Sequence, residues 1–173
     1  MVRFASFLIC LLVLLRVLLP AGVAQAAVHD TDVVALSVDT GAGVKTYTAR
    51  AVASLPAQAV TVGADPGSAM HYRCTRLQYV LQDAGVAMGK AMRGARLGDT
   101  VTATAGDGFT VAFALVELDA VFRPDPAYLC YEKEGELLDA AEGPLRLIVP
   151  DDLRKGRWVR QLKSLKVNLS TAP

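Results

Sequence analysis

Residues 143–167, reading GPLRLIVPDDLRKGRWVRQLKSLKV, constrain the fold of this chain more than any other stretch. Leu145, Leu147, Ile148 and Val149 make an apolar run that ends at Pro150. Proline lacks the N–H that would extend a ladder, so the run reads as a core strand with a fixed end. A basic connection carrying Arg154, Lys155 and Arg157 then leads through Trp158 into a second run, 162–167, with apolar positions at Leu165 and Val167. The rest of the chain is expected to pack around this pair.

The first 26 residues read as an export signal rather than as part of the fold. Arg3 supplies a positive start, Phe4 to Leu19 is apolar but for Arg16, and Ala24-Gln25-Ala26 offers the small residues that a signal peptidase reads. Cleavage is expected after Ala26. The competing reading, a membrane anchor, needs a longer unbroken apolar run than the one ahead of Arg16. Without Arg3 and Arg16, the 18 basic residues fall to 16 against 17 acidic ones. Residues 27–173 are thus nearly neutral and suffice for one domain that buries about 70% of its unfolded surface. So balanced a charge gives no signal for nucleic acid or an anionic membrane, and no membrane span is expected after cleavage.

Cys10 leaves with the signal, so the exported chain keeps Cys74 and Cys130. An even pair outside the cytoplasm points to a disulfide before a metal site, with two buried free thiols as the alternative. A bridge would close a loop of about 56 residues.

The remaining elements are short. Val33 to Val38 and Val44 to Thr48 read as a hairpin about Thr40-Gly41-Ala42-Gly43, and Thr48 can cap a short helix that Pro56 closes. Ala59 to Val62 is a further strand, and 63–68 is a loop. Leu77, Val80, Leu81 and Ala84 follow helical spacing, with Gly85 placed as a C-cap. Thr100 to Thr104 and Phe109 to Phe113 flank the turn Gly106-Asp107-Gly108. A short helix is expected over 115–121 and a strand over 127–131, turning at Glu134-Gly135-Glu136. Many short strands with few short helices predict an α+β domain of mainly antiparallel or mixed sheets.

The order LQYVLQDAGV, GDTVTATAGDGFTVAFALVEL, YLCYEKEGELL and EGPLRLIVPDDLRKGRWVRQLKSLKV resembles the oxidoreductase molybdopterin-binding domain of the sulfite oxidase family, in particular its small exported single-domain members. The likeness covers about residues 72–167. It implies the family's α+β fold of several packed sheets. It also implies molybdenum held through a cysteine thiolate, a soft ligand, upstream of the short helix. Here Cys74 stands where small members have a glycine leading into that helix, and 27–73 holds no cysteine. Nor does the single Arg3 make the twin-arginine signal that carries preloaded pterin enzymes across a membrane folded. The family's basic, pterin-phosphate-binding segment is matched by Arg154, Lys155, Arg157 and Trp158. With Arg73, these are the candidate residues for an anionic ligand.

Other chemistry has weaker support. His71 near Cys74 suggests a thiol nucleophile, which a disulfide would consume. Asp151-Asp152 fits a turn or first helical turn, Asp107 a turn, and Trp158 the core or a groove wall. The sequence therefore predicts an exported, periplasmic or secreted molybdopterin-binding-fold protein without molybdenum catalysis. It would bind a small anionic ligand or a periplasmic protein partner. The alternative is a molybdopterin-dependent oxidoreductase with an unusual metal ligand.

Overall fold

The structure is a computed structural model, in which residues 33–63 and 67–170 are described. The expected signal segment, Cys10 and His29 lie outside the described residues, as does part of the 63–68 loop. Two five-stranded sheets and a few short helices make an α+β arrangement.

The first sheet holds β1 (Val34–Asp39), β2 (Val44–Thr48), β5 (Thr100–Ala105), β6 (Thr110–Ala114) and β10 (Leu162–Asn168), in the order β2-β1-β10-β5-β6. β10 runs parallel to β1 and antiparallel to β5. As the central strand it buries Leu162, Leu165 and Val167 and turns Lys163 and Lys166 outward. That alternation is what one covered sheet face demands.

The second sheet holds β3 (Ala57–Val62), β4 (Met70–Arg76), β7 (Tyr128–Lys133) and β8 (Glu136–Leu137), with β9 (Arg146–Ile148) also on β7. β7 turns into β8 through Glu134 and Gly135, at φ of 52° and 84°. Two successive positive φ values give the twist a tight hairpin requires, which glycine adopts without strain. Buried side chains from both sheets and the helices form one apolar cluster.

The helices are placed by backbone chemistry. Thr48 Oγ1 accepts the Ala51 N–H at 3.1 Å and caps α1 (Ala49–Ala53). α2 (Leu77–Asp83) buries Leu77, Val80 and Leu81, and its first N–H donates to Ala127 O at 2.9 Å. Beyond it Gly85 takes φ 94°, and Val86 N–H returns to Leu81 O at 2.9 Å. This is the glycine-terminated helix end expected from the spacing.

Three features depart from the sequence reading. The two apolar runs of 143–167 belong to different sheets: β9 lies in the second, β10 at the centre of the first. Residues 70–76, read as a lead into the helix, form β4, whose buried Tyr72 and Cys74 alternate with exposed His71 and Arg73. The expected helix over 115–121 is only a 3-10 turn, Leu115–Leu118. Buried Asp119 stops it, because its carboxylate takes the N–H groups of Gly89 and Val121. An acidic side chain offering such local bonds competes with continued helix.

Cys74 and Cys130 face each other across β4 and β7 and form a disulfide, both fully buried. The bridge closes a 56-residue loop. On the chain-entropy account, the Cys74→Ala, Cys130→Ala double variant should lose about 4 kcal/mol of unfolding free energy. Urea titrations of the two proteins check this; equal midpoints would contradict it.

Candidate functional site

Four of the five residues proposed to meet an anion lie together after β9, where Lys155–Arg157 forms a 3-10 turn. Arg157 points into the protein's own acids. Its Nε and Nη2 donate to Asp152 at 2.9 and 2.6 Å, and Nη1 donates to Glu117 Oε1 at 2.9 Å. Its guanidinium also sits 4.8 Å from the centre of the Phe113 ring. The Asp152 bond is the main cause of an arginine pKa raised above its already high value. A fork–fork pair of this kind fixes both partners in orientation. The network continues through Arg123, whose guanidinium reaches Asp151 at 3.4 Å and Glu117 at 3.8 Å.

Trp158 is buried, 8% exposed, and its indole N–H donates to Val149 O at 2.9 Å. Two cations approach the ring centre, Lys155 Nζ at 5.0 Å and the Arg146 guanidinium at 5.5 Å. Arg154 is exposed and has no hydrogen bond or ion pair among the described residues. Of the basic connection, then, only Arg154 and Lys155 have a charge that no carboxylate meets.

Arg146 anchors a second cluster that the sequence reading passed over. Its side chain, 12% exposed, makes a 2.6 Å ion pair with Glu142 and donates to Tyr72 Oη at 3.3 Å. Lys133 Nζ meets the other Glu142 oxygen at 3.2 Å and lies 5.9 Å from the Tyr72 ring centre. Burial acts to raise the Glu142 pKa, but Arg146 and Lys133 outweigh it and hold the carboxyl below its ordinary value. Burial likewise pushes the Tyr72 hydroxyl up, so it stays protonated and serves as a hydrogen-bonding group. Arg146 Nε is buried without a hydrogen-bond partner among the described residues. The signal was present: a charged residue inside the apolar run LRLIV has to find a partner.

Arg73 stands apart from these residues. It projects from β4 opposite Ala59 and Glu132, donates to Tyr131 Oη at 3.4 Å, and borders an open hollow of about 330 Å³ beside His71 and Gln58. His71 Nδ1 is 3.0 Å from Thr61 Oγ1, on exposed surface, while Cys74 is buried in its disulfide. The thiol nucleophile is thereby removed. A second hollow, of about 370 Å³, is bordered by Arg96, Asp99 and Ser170. There the Asp99 carboxylate is occupied by the Ser170 N–H and hydroxyl and by Arg96. Asp107 accepts the Phe109 N–H at 2.9 Å, as its turn requires.

No family model matches this chain, and no curated protein matches it. The molybdenum site that the sequence likeness implies does not fit these residues. It needs a thiolate, and among the described residues both cysteines are spent on one buried disulfide.

The two arginines of the basic connection should respond differently to truncation. Arg157→Met strands the Asp152 carboxylate, leaves Glu117 to Arg123 and the Ala114 N–H, and should cost about 1–3 kcal/mol of stability. Arg154→Ala, which removes no bond, should stay within about 0.5 kcal/mol of the parent. Urea unfolding of both variants checks the contrast, and equal losses would contradict the assignment.

Proposed function

We propose that this chain is an exported, single-domain relative of the sulfite oxidase molybdopterin-binding family that acts by binding and does not carry out molybdenum redox chemistry. The observation that carries this reading is the Cys74–Cys130 disulfide, which leaves no thiol in the described chain to hold molybdenum. The motif order across 72–167, the packed mixed sheets and the few short helices support the family assignment. A disulfide suits an oxidising compartment, and no helix among the described residues is long and apolar enough to cross a membrane. The disulfide accords with the periplasmic or secreted location we propose, and cleavage after Ala26 with one domain over 27–173 completes the proposal.

On this reading the basic connection has been turned from pterin binding to internal support. Arg157 and Trp158 hold their loop through Asp152, Glu117 and Val149. Arg154 and Lys155 stay available to an outside partner or an anionic ligand. Fold and chemistry separate readily, so a retained scaffold with a new binding role needs no new architecture.

The test is the molybdenum and pterin content of the processed protein, purified from the periplasm of a host that makes the cofactor. The expected result is neither metal nor pterin. Stoichiometric amounts of both would overturn the reading and favour the oxidoreductase alternative, with an unusual metal ligand or a partner subunit supplying one.

A further inference from the structure

β3 (Ala57–Val62) ends the second sheet, and among the described residues no backbone group of 57–62 bonds outside the β3–β4 ladder. An edge strand in that state presents a row of N–H and C=O groups that another strand can take, and proteins guard such edges with charge, irregularity or brevity. The other edges carry guards of this kind. β2 has Lys45, paired with Asp83 at 2.9 Å, and its register with β1 shifts between Val34 and Leu36. At the end of β6 the Ala114 N–H is taken by the Glu117 side chain at 3.1 Å. β8 is two residues long, and β9 is three, with Leu147 bonded to Val159.

β3 has no such guard. Its sequence, AQAVTV, contains no charged residue, proline or glycine. It pairs with β4 residue for residue, from Ala57 opposite Thr75 to Val62 opposite Met70, with no shift in register. Val60 and Val62 are buried on the core face, while Ala57, Ala59 and Thr61 are exposed on the other. The two alanines put little bulk in the way of an incoming strand.

The edge itself specifies its occupant: extended backbone, uncharged where it meets β3. A disordered segment would have to be fixed in place on docking, at a cost of about 2–5 kcal/mol, whereas the edge of a folded sheet is already ordered. A second β3 meets both conditions, and its own unpaired row is satisfied by the same contact. Antiparallel pairing about a twofold axis sets Ala59 opposite its partner's Ala59, Gln58 opposite Val60 and Ala57 opposite Thr61, with opposed residues on one face.

Charge does not oppose this arrangement. Arg73 lies opposite Ala59 on β4 and is flanked by Glu132 on β7. The two Arg73 side chains would stand three strand spacings apart, about 14 Å, beyond the screening length of about 8 Å at physiological salt. His71 lies opposite Thr61, so its row meets Ala57 and then Thr75 of the other copy, neither of them charged. Arg76, past Thr75, stands at one end of the contact, and the twofold sends its copy to the other end.

We propose that this chain forms a homodimer in which the β3 strands of two copies pair antiparallel and join their second sheets into one continuous sheet. The dimer goes beyond the binding role proposed above and does not rest on it.

The experiment uses the chain from residue 27 onward. Sedimentation velocity up to millimolar concentration should show a monomer–dimer equilibrium, and hydrogen exchange at amides within 57–62 should slow as the dimer fills. Ala59→Lys and Ala59→Glu each set like charges opposite one another and should raise the dimer dissociation constant at least about tenfold. Ala59 is exposed, so neither change removes core packing, and the urea midpoints of both variants should match that of the parent under monomeric conditions. An equimolar mixture of the two variants opposes Lys to Glu and should restore the dimer.

A monomer at every concentration, a dimer indifferent to both charge variants, or a mixture no tighter than either variant alone would overturn the proposal. So would a monomer whose 57–62 amides are already protected at the lowest concentration, because a segment of the same chain, such as 27–32, would then cover the edge. The metal and pterin assay bears on none of these outcomes, so failure of the family reading and failure of the dimer are told apart.

Discussion

Three backbone hydrogen bonds tie the path from β9 to β10 back onto β9 and the residue before it. Leu147 and Val159 exchange N–H···O bonds of 2.8 and 3.0 Å, and Leu162 N–H donates to Leu145 O at 2.9 Å. Between them Gln161 adopts φ 49°, a left-handed conformation unusual for a residue with a side chain. Its N–H donates to Glu142 O and its carbonyl accepts from Gly106 N–H, so one residue touches the segment before β9 and the turn after β5. Buried backbone groups need partners, and this crossing satisfies them while steering β10 into the middle of the other sheet.

The loop spanning 149–158 is held at both ends by that crossing, and its interior is organised by charge. Bidentate Arg157, the Trp158 indole N–H and the Arg123 bridge set its path. The Arg146–Glu142–Lys133–Tyr72 cluster ties β9 to β4 and β7 beside it. Partly buried pairs with several hydrogen bonds specify geometry more than they add stability, because desolvation offsets much of their attraction. They also fix which charges of the loop are left without a carboxylate partner among the described residues.

Much of this order was legible in the sequence. The 34–48 hairpin, the capped helix after Thr48, the helix ended by Gly85 and the strands about Gly106-Asp107-Gly108 all follow from periodicity and turn residues. β4 was obscured because His71, Arg73 and Arg76 interrupt its apolar positions, although Tyr72 and Cys74 keep the alternation. The stop at Asp119 could not be read locally, since one of its bonds comes from Gly89, thirty positions away. For the candidate site the basic connection was visible but not its partners. Glu117 lies 40 residues from Arg157, and only tertiary structure brings them to 2.9 Å. Pairing of Cys74 with Cys130 was likewise a matter of separation in space, which register between β4 and β7 decides.

The account depends most on the state of those two sulfurs, since a bridge both braces the second sheet and removes the thiolate that molybdenum would need. The direct measurement is a thiol titration of the chain from residue 27 onward, unfolded in denaturant, before and after reduction. The account predicts no reactive thiol before reduction and two after it. Two thiols without reductant would contradict it and show that the second sheet stands without a covalent brace.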